Sequence, residues 1–159
     1  MKHSETTAVL DGLRRLVKSL REGSRAAEQT LGLSGAQVFV LQALAKTPSL
    51  SLNELAERTH THQSSVSVVV TRLVARKLVQ RAKDPDDGRR LVLRLTARGQ
   101  QVLKKAPGAT QDRLIDALDR LPAAERRGLA SSLAKVAALM ELPSQAPEMF
   151  FEAPARRRA

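Results

Sequence analysis

The sequence predicts a mostly α-helical fold with a small two-stranded β wing. Apolar residues recur at helical spacing through most of the chain. Ser51 and Glu54 have the spacing of a capping box, which marks the start of a helix, and beyond Val79 the helical period changes to the alternation of a strand. Aromatic residues make up only 2% of the 159 residues, so the core must be built from Leu, Val and Ala, which favours helices.

The N-terminal part is predicted to form a helix over residues 5–28. Its apolar stripe consists of Val9, Leu10, Leu13, Leu16, Val17 and Leu20. This stripe precedes the core of the domain, so it needs a partner surface on a second subunit or, alternatively, on its own domain. A capping box from Ser34 to Gln37 then opens a helix that extends to about Lys46.

Residues 52–79 are predicted to form two helices joined by a tight turn at residues 59–62. The second helix has an apolar set that is expected to face inward: Val66, Val69, Val70 and Leu73. Its outer face carries Ser64, Ser67, Val68, Thr71 and Arg72. Short hydroxyl groups near a helix N-terminus donate to phosphates and to base edges, and the helix dipole also favours an anion.

A two-stranded wing is predicted after the second helix. In residues 91–95, leucine alternates with other residues, which predicts a strand whose leucines share one buried face. The motif Asp86-Asp87-Gly88 supplies a turn that tolerates positive φ. Arg89 and Arg90 lie just beyond the turn, where they could reach into a minor groove. Leu50-Ser51 is expected to add one short strand to the wing.

The net charge of the chain is +11, and most of it is concentrated in one region. Residues 71–105 contain eleven Lys or Arg and three acidic residues. Positive charge on the predicted second helix and wing predicts a polyanionic partner, double-stranded DNA. The alternative is a solvated basic surface without a partner, which the coincidence with the helix–turn–helix pattern disfavours.

The C-terminal part is predicted to be helical with one break. Thr96 is a candidate N-cap of a helix that runs to about Ala106, and Pro107-Gly108 then interrupts it. Further helices are predicted over residues 111–121 and 122–142. The last helix has an apolar set that is expected to face inward: Leu129, Leu133, Val136, Ala137 and Met140.

The composition disfavours several other classes of protein. The chain has no Cys, which excludes disulfides and thiol chemistry. It has no apolar run near 18 residues and no secretory signal, so a cytoplasmic protein without a membrane partner is expected. It offers no nucleophile–base pair and no phosphate-binding glycine loop, so neither enzyme activity nor a cofactor is expected. His60 and His62 would need further ligands to hold a metal, so no metal site is expected.

The order of these elements resembles the MarR family of winged helix–turn–helix transcriptional regulators. The matching pieces, which are specific only in combination, span residues 50–100. They are Leu55-Ala56-Glu57, Ser65-Val66-Ser67, Thr71-Arg72-Leu73-Val74, Leu78-Val79-Gln80-Arg81, Asp84-Pro85-x-Asp87-x-Arg89 and Leu95-Thr96-x-x-Gly99. The resemblance implies four segments. These are an N-terminal dimerisation helix (1–33), a winged helix–turn–helix DNA-binding domain (34–106), C-terminal dimerisation helices (107–142) and a Pro-rich basic tail (143–159).

The leading hypothesis is a homodimeric, sequence-specific DNA-binding regulator that represses transcription from an inverted-repeat operator. The expected DNA contacts are His62, Gln63, Ser64, Ser65, Ser67, Val68, Thr71, Arg72, Arg89 and Arg90, with Asp87 orienting the wing. Relatives often bind small aromatic acids or phenols, so the resemblance implies a small-molecule effector as a further candidate partner. The residues leave the effector, the operator and the choice between repressor and activator open. The alternative function is an architectural DNA-binding protein with little sequence preference.

Three features depart from the family pattern. Residues 59–62 are Thr-His-Thr-His. Relatives commonly have an apolar residue at positions 59 and 61, Gly at position 60, and Ser or Asp at position 62. His60 and His62 are expected to lie at the DNA backbone. Val68 replaces a base-reading Arg, and it is expected to face outward unless the helix is rotated. Lys77 replaces the Gly that ends the helix, which predicts a slightly different link into the wing. In the tail, Met149-Phe150-Phe151 is apolar enough to dock on its own or a partner subunit.

Overall fold

The computed structural model describes residues 2–152, with side chains from residue 4 onward. The described residues form seven helices and one two-stranded sheet, which confirms the predicted mostly α-helical fold with a β wing. The helices are α1 (Lys2–Leu31), α2 (Gly35–Lys46), α3 (Leu52–Arg58), α4 (Gln63–Ala75), α5 (Ala97–Lys104), α6 (Thr110–Arg120) and α7 (Ala123–Leu139); the strands are β1 (Val79–Lys83) and β2 (Leu91–Leu95). The basic end of the predicted tail, residues 153–159, lies outside the described residues, as does the side chain of His3.

Both predicted capping boxes are confirmed. At the start of α2, the backbone N–H of Gln37 donates to Ser34 Oγ and the backbone N–H of Ser34 donates to Gln37 Oε1, each at 3.1 Å. At the start of α3, Glu54 N–H donates to Ser51 Oγ at 3.3 Å and Ser51 N–H donates to Glu54 Oε2 at 2.7 Å. Each box satisfies two N–H groups that the helix itself leaves without a partner.

The core lies between α2, α3, α4 and the base of the wing. The four residues of α4 predicted to face inward are completely buried: Val66, Val69, Val70 and Leu73. Val68 is 43% exposed, so the predicted facing of α4 is confirmed and the rotated alternative is wrong. This packing fixes which side of α4 remains available to a partner.

The wing differs in one respect from its sequence pattern. Strands β1 and β2 pair antiparallel, with Val79 opposite Leu95. Leu93 N–H donates to Leu50 O at 2.7 Å, so the expected extra strand is present as a single bridge. The predicted burial of alternate leucines is wrong: Leu91 is 61% exposed, whereas both Val92 and Leu93 are buried. Leu91 pairs with Lys83 at the loop end of the ladder, beyond the rest of the domain, and only the middle of β2 is covered on both faces.

Helices α3 and α4 each end on a non-glycine residue in the left-handed conformation that glycine favours. Lys77 has φ +59°, and Leu78 N–H donates to Leu73 O at 3.0 Å, as in a Schellman motif. Lys77 therefore keeps the backbone path of a glycine, and the expectation of a different link into the wing is wrong. His60 has φ +50° and ends α3 in the same way. The wing turn at residues 86–88 is the opposite case, because none of these residues adopts the positive φ that the sequence suggested.

The predicted break after α5 is confirmed. Helix α5 begins with Thr96 as its N-cap, whose Oγ1 accepts from Gly99 N–H at 3.0 Å. It ends at Lys104, and α6 starts beyond Pro107-Gly108. The carbonyl of Pro107 accepts from Gln42 Nε2 at 3.1 Å, so the break itself is held against α2.

Two apolar stripes remain largely exposed within the described residues. No residue of α7 is buried, and Leu129, Leu133, Val136 and Met140 are 40–63% exposed. The expectation that they face inward is therefore wrong for a single chain. The α1 stripe is likewise exposed along Val9, Leu10, Leu13, Leu16 and Val17, while Leu20 is buried. Among the described helices, none is long and apolar enough to cross a membrane.

The segment after α7 returns to the domain. Residues 143–152 contain no helix or strand, yet Met149 is 4% exposed and belongs to the main core cluster. Glu152 is also buried, while Phe150 is 53% exposed. The predicted docking of Met149-Phe150-Phe151 thus takes place on the same chain, principally through Met149.

Candidate nucleic-acid interface

Helix α4 has an outer face that is exposed. Ser64, Val68 and Thr71 follow one another at helical spacing, and all three are exposed. Thr71 Oγ1 donates to Ser67 O at 2.9 Å, so its hydroxyl is satisfied within the helix. The exposed side chain of Gln63 begins the helix beside this face. The structure therefore places Ser64, Val68 and Thr71 on one exposed surface, while Ser67 is half-buried.

The turn before α4 leaves the helix N-terminus open. His62 is the N-cap of α4, and its side chain makes no capping hydrogen bond, as expected for a poor capping residue. His60 and His62 are both exposed. The first amide groups of a helix without a side-chain cap are available to water or to an anion such as a phosphate.

The turn before α4 has polar residues at positions 59 and 61, where relatives commonly have apolar ones, and Thr59 forms hydrogen bonds within the turn. Its side chain is buried, and Oγ1 donates to Leu55 O at 2.8 Å. The same oxygen lies 2.7 Å from Thr61 Oγ1. The hydroxyl groups of the turn are thus hydrogen-bonded to each other and to the end of α3.

The two wing arginines have different environments, although the same contact with DNA was predicted for both. Arg89 is exposed, and its backbone N–H donates to Asp87 Oδ1 at 3.0 Å, while the wing-orienting role of Asp87 stays a prediction. The Arg90 guanidinium instead bonds to the Glu54 carboxylate on α3 and lies 3.6 Å from Asp84 Oδ2. Arg90 therefore fastens the wing to α3, and its predicted contact with DNA stays a prediction.

Glu54 is held in its charged form by these neighbours. The hydrogen bond from the Ser51 backbone and the bond from the Arg90 guanidinium lower the pKa of Glu54 from its ordinary value. One carboxylate thus caps α3 and also binds an arginine of the wing.

Ser65 and Arg72 lie on a flank of α4 and contact the C-terminal segment. Ser65 Oγ donates to Pro147 O at 2.6 Å. The Arg72 guanidinium forms an ion pair with the buried carboxylate of Glu152. Both residues were predicted to contact DNA, and in this structure both have protein partners. No local pattern signals Glu152, because it is 80 residues from Arg72 in the chain.

Exposed basic side chains continue from the end of α4 into the wing. They are Arg76, Lys77, Arg81, Lys83 and Arg89. A positive surface that continues from an exposed helix face into the wing is suited to phosphate contacts beside a groove. Together with the helix–turn–helix and the wing, this surface defines a DNA-binding protein of the winged-helix class.

Comparison with known proteins agrees with this class. A sequence model of the MarR family matches residues 31–90. The HTH-type transcriptional repressor Mb2911 of Mycobacterium bovis is 31% identical over 117 residues, which cover 74% of this chain and 84% of that protein. The solved structure of Bordetella bronchiseptica BpsR, whose DNA binding is regulated by 6-hydroxynicotinic acid, superposes with a TM-score of 0.54 at 26% identity, covering 83% of this chain and 91% of that one. A mutant of MarR from E. coli superposes with a TM-score of 0.55 at 25% identity, covering 80% and 95% of the two chains.

The chain belongs to the MarR family, and it is a DNA-binding transcriptional regulator of the MarR type. This confirms the resemblance drawn from the motifs between residues 50 and 100. It also agrees with the prediction that the protein is not an enzyme, since its relatives are transcriptional regulators.

Proposed function

We propose that the chain is a homodimeric repressor that binds an inverted-repeat operator with one winged helix–turn–helix per half-site. The observation that carries this proposal is the exposed face of α4, where Ser64, Val68 and Thr71 lie side by side next to a basic wing. Such a face is suited to reading base edges in a major groove. The similarity to the repressor Mb2911 supports repression as the direction of control.

The two largely exposed apolar stripes support a dimer. Exposed apolar surface costs about 25 cal/mol per Å² relative to burial, so continuous stripes on α1 and α7 favour a second copy that covers them. We assign residues 1–33 and 107–142 to this dimer interface, residues 34–106 to DNA binding and residues 143–159 to a tail. A two-fold dimer would place its half-sites roughly 34–36 Å apart, or one helical turn.

The proposed DNA contacts fall into two groups. Gln63, Ser64, Ser67, Val68 and Thr71 face the groove, while His62 and Arg89 contact the phosphate backbone or the minor groove. Ser65, Arg72 and Arg90 have protein partners in the unbound chain. We assign these three a supporting role at the edge of the interface.

Selection of bound fragments from genomic DNA, followed by gel shifts at fixed salt, tests the proposed function. The expected result is a recurring inverted repeat, bound about 10³-fold or more tightly than competitor DNA. Fragments without a shared sequence and with a specificity ratio near one would instead favour the architectural alternative.

The wing contact can be tested with Arg89→Ala. Loss of an exposed cation from the wing is expected to weaken binding to all DNA sequences and to reduce the slope of log K against log salt by about one. Arg127→Ala, which removes the same charge from the exposed side of α7 opposite its apolar stripe, serves as the control and should leave both quantities close to wild type. Unchanged affinity of Arg89→Ala at about 150 mM salt would remove the wing from the mechanism.

The groove contact can be tested with Val68→Ala. An exposed Val on this face can pack against a thymine methyl group, so its loss is expected to relax the preference for T·A at one position of each half-site by about 1 kcal/mol. Melting temperature should barely change, because Val68 is outside the core. Val69→Ala is the matched control, since it should lower the melting temperature and keep the base preference. A Val68→Ala variant with unaltered base preference would exclude this contact.

We further propose that an effector binds beside the turn before α4. A cavity of about 310 Å³ lies between this turn, α6 and the C-terminal segment, with Phe39, Leu114 and Leu118 among its apolar walls and His60, His62 and Gln111 as polar groups. A small aromatic acid suits this combination, and the related BpsR responds to 6-hydroxynicotinic acid. Thermal melting in the presence of a panel of such acids tests the proposal; no shift with any of them would argue against this class of effector.

A further inference from the structure

A single buried carboxylate connects the DNA-binding helix to the start of α2. The side chain of Glu152 is only 4% exposed and pairs with the Arg72 guanidinium of α4. Its other oxygen accepts from Ser34 Oγ at 3.1 Å. Ser34 is the N-cap of α2, so Glu152 also lies at a helix N-terminus, which favours negative charge. A buried charge with two directional partners has one well-defined position.

Two further contacts hold the same flank of α4. Ser65 Oγ donates to the carbonyl of Pro147, 2.6 Å away. Arg76 Nη1 donates to Gly32 O at 2.7 Å, at the junction of α1 and α2. Ser65, Arg72 and Arg76 follow one another at helical spacing, so one side of α4 is fixed along two and a half to three turns.

The C-terminal segment is anchored independently of these polar contacts. Met149 is buried in the main core cluster. Gln111 Nε2 of α6 donates to Phe150 O at 3.5 Å. The segment follows α7 directly, after a left-handed residue at Glu141. It therefore runs from the proposed dimer interface to the DNA-binding helix.

We propose that residues 147–152 form a strap that positions α4, and that Glu152 is its positioning residue, acting through Arg72. This inference rests on the proposed sequence-specific DNA binding. The strap does not cover the outer face of the helix, because Ser64, Val68 and Thr71 remain exposed. DNA and the strap therefore engage α4 at the same time, and the strap acts by orientation and not by obstruction.

The orientation of α4 matters more for binding to a specific operator than for binding to random DNA. Contacts to base edges are short and directional, whereas phosphate contacts are largely electrostatic and tolerate a small shift of the helix. Loosening the strap should therefore lower affinity for the operator and leave affinity for random DNA nearly unchanged. A loss of general fold stability would instead reduce the binding-competent fraction and weaken both kinds of binding by the same factor.

The test compares Glu152→Gln with Glu148→Gln in the full-length protein. Both variants remove one negative charge from the same segment, but the side chain of Glu148 is exposed and Glu152 is buried. The readout is the ratio of affinities for the operator selected with the wild type and for random DNA at equal salt. Glu152→Gln is expected to lower this ratio about tenfold, a typical effect of altering a residue that couples two elements. Glu148→Gln is expected to keep it within about twofold of wild type.

Arg72→Gln and the double variant complete the experiment. Arg72→Gln breaks the same contact at its half-buried end, so it provides the test should Glu152→Gln fail to fold. It should lower the ratio by a similar factor, and adding Glu152→Gln should lower it no further. Equal affinity ratios for Glu152→Gln and Glu148→Gln would overturn the strap. So would an Arg72→Gln substitution that lowers the ratio as much in the Glu152→Gln background as in the wild type. Failure of the wild type to select any operator would overturn the proposed function instead.

Discussion

Replacing Leu133 with Glu on α7 is expected to weaken operator binding severely, because it removes the proposed dimer. Leu133 is 50% exposed in the single chain, where a carboxylate would be solvated. In a dimer interface the same carboxylate would be buried without a partner, at a cost of several kcal/mol. In a dimer, binding of one subunit to its half-site holds the other subunit close to the second half-site. A monomer lacks this gain, so operator affinity should fall by about 10²–10⁴-fold.

The control for this experiment is Ser131→Glu, which adds the same charge to α7 away from the stripe. Light scattering and gel shifts on both variants measure assembly and binding. For the wild type, we expect a dimer that dissociates only on unfolding, so its melting temperature should rise with protein concentration. A stable, folded wild-type monomer at micromolar concentration would contradict the assignment of the α1 and α7 stripes to a dimer.

The Gly99→Ala variant is expected to lose about 1–3 kcal/mol of folding stability, the usual cost of overpacking a buried site. Gly99 is buried in the first turn of α5, and a Cβ at this position would overlap the carbonyl oxygen of Leu78. That carbonyl also accepts from Thr96 N–H at 3.1 Å, while Thr96 Oγ1 donates to Lys77 O at 2.7 Å. The backbone at the start of the wing is therefore held in place and cannot move away from a methyl group.

Gly88→Ala is the matched control for Gly99→Ala. Gly88 lies in the exposed wing loop, and a Cβ there would have no neighbour within 4 Å. Its stability should stay within about 0.5 kcal/mol of wild type. Urea unfolding measures both variants, with an unchanged m value showing that the midpoint reports stability. Equal midpoints for the two variants would mean that α5 can shift away from Leu78 at little cost.

The sequence by itself determined the features that depend on neighbouring residues. The capping boxes at Ser34 and Ser51, the break at Pro107-Gly108 and the inward facing of Val66, Val69, Val70 and Leu73 were all predicted correctly. Each follows from hydrogen bonds or helical spacing within a few residues, so the local chain contains the necessary information. The exposed outer face of α4, the central part of the candidate DNA interface, was predictable for the same reason.

The backbone conformation of the two turns was harder to predict from the sequence. His60 and Lys77 occupy left-handed positions where relatives commonly have glycine. The left-handed conformation costs a non-glycine residue roughly 1–2 kcal/mol, which suggests from sequence alone that the turn should change. The packed helices on both sides of each turn keep the backbone path, so the tertiary structure outweighs the local preference.

Only the tertiary structure decided which arginines remain available to DNA. The sequence offers 27 basic and 16 acidic residues, and it gives no rule for pairing them across the chain. Folding brings Glu54 to Arg90 and Glu152 to Arg72, while Arg89 stays exposed at the wing. These pairs are separated by 36 and 80 residues. Charge attraction between two side chains strengthens as they approach and is independent of sequence distance, so the packing that brings two side chains together selects the partner.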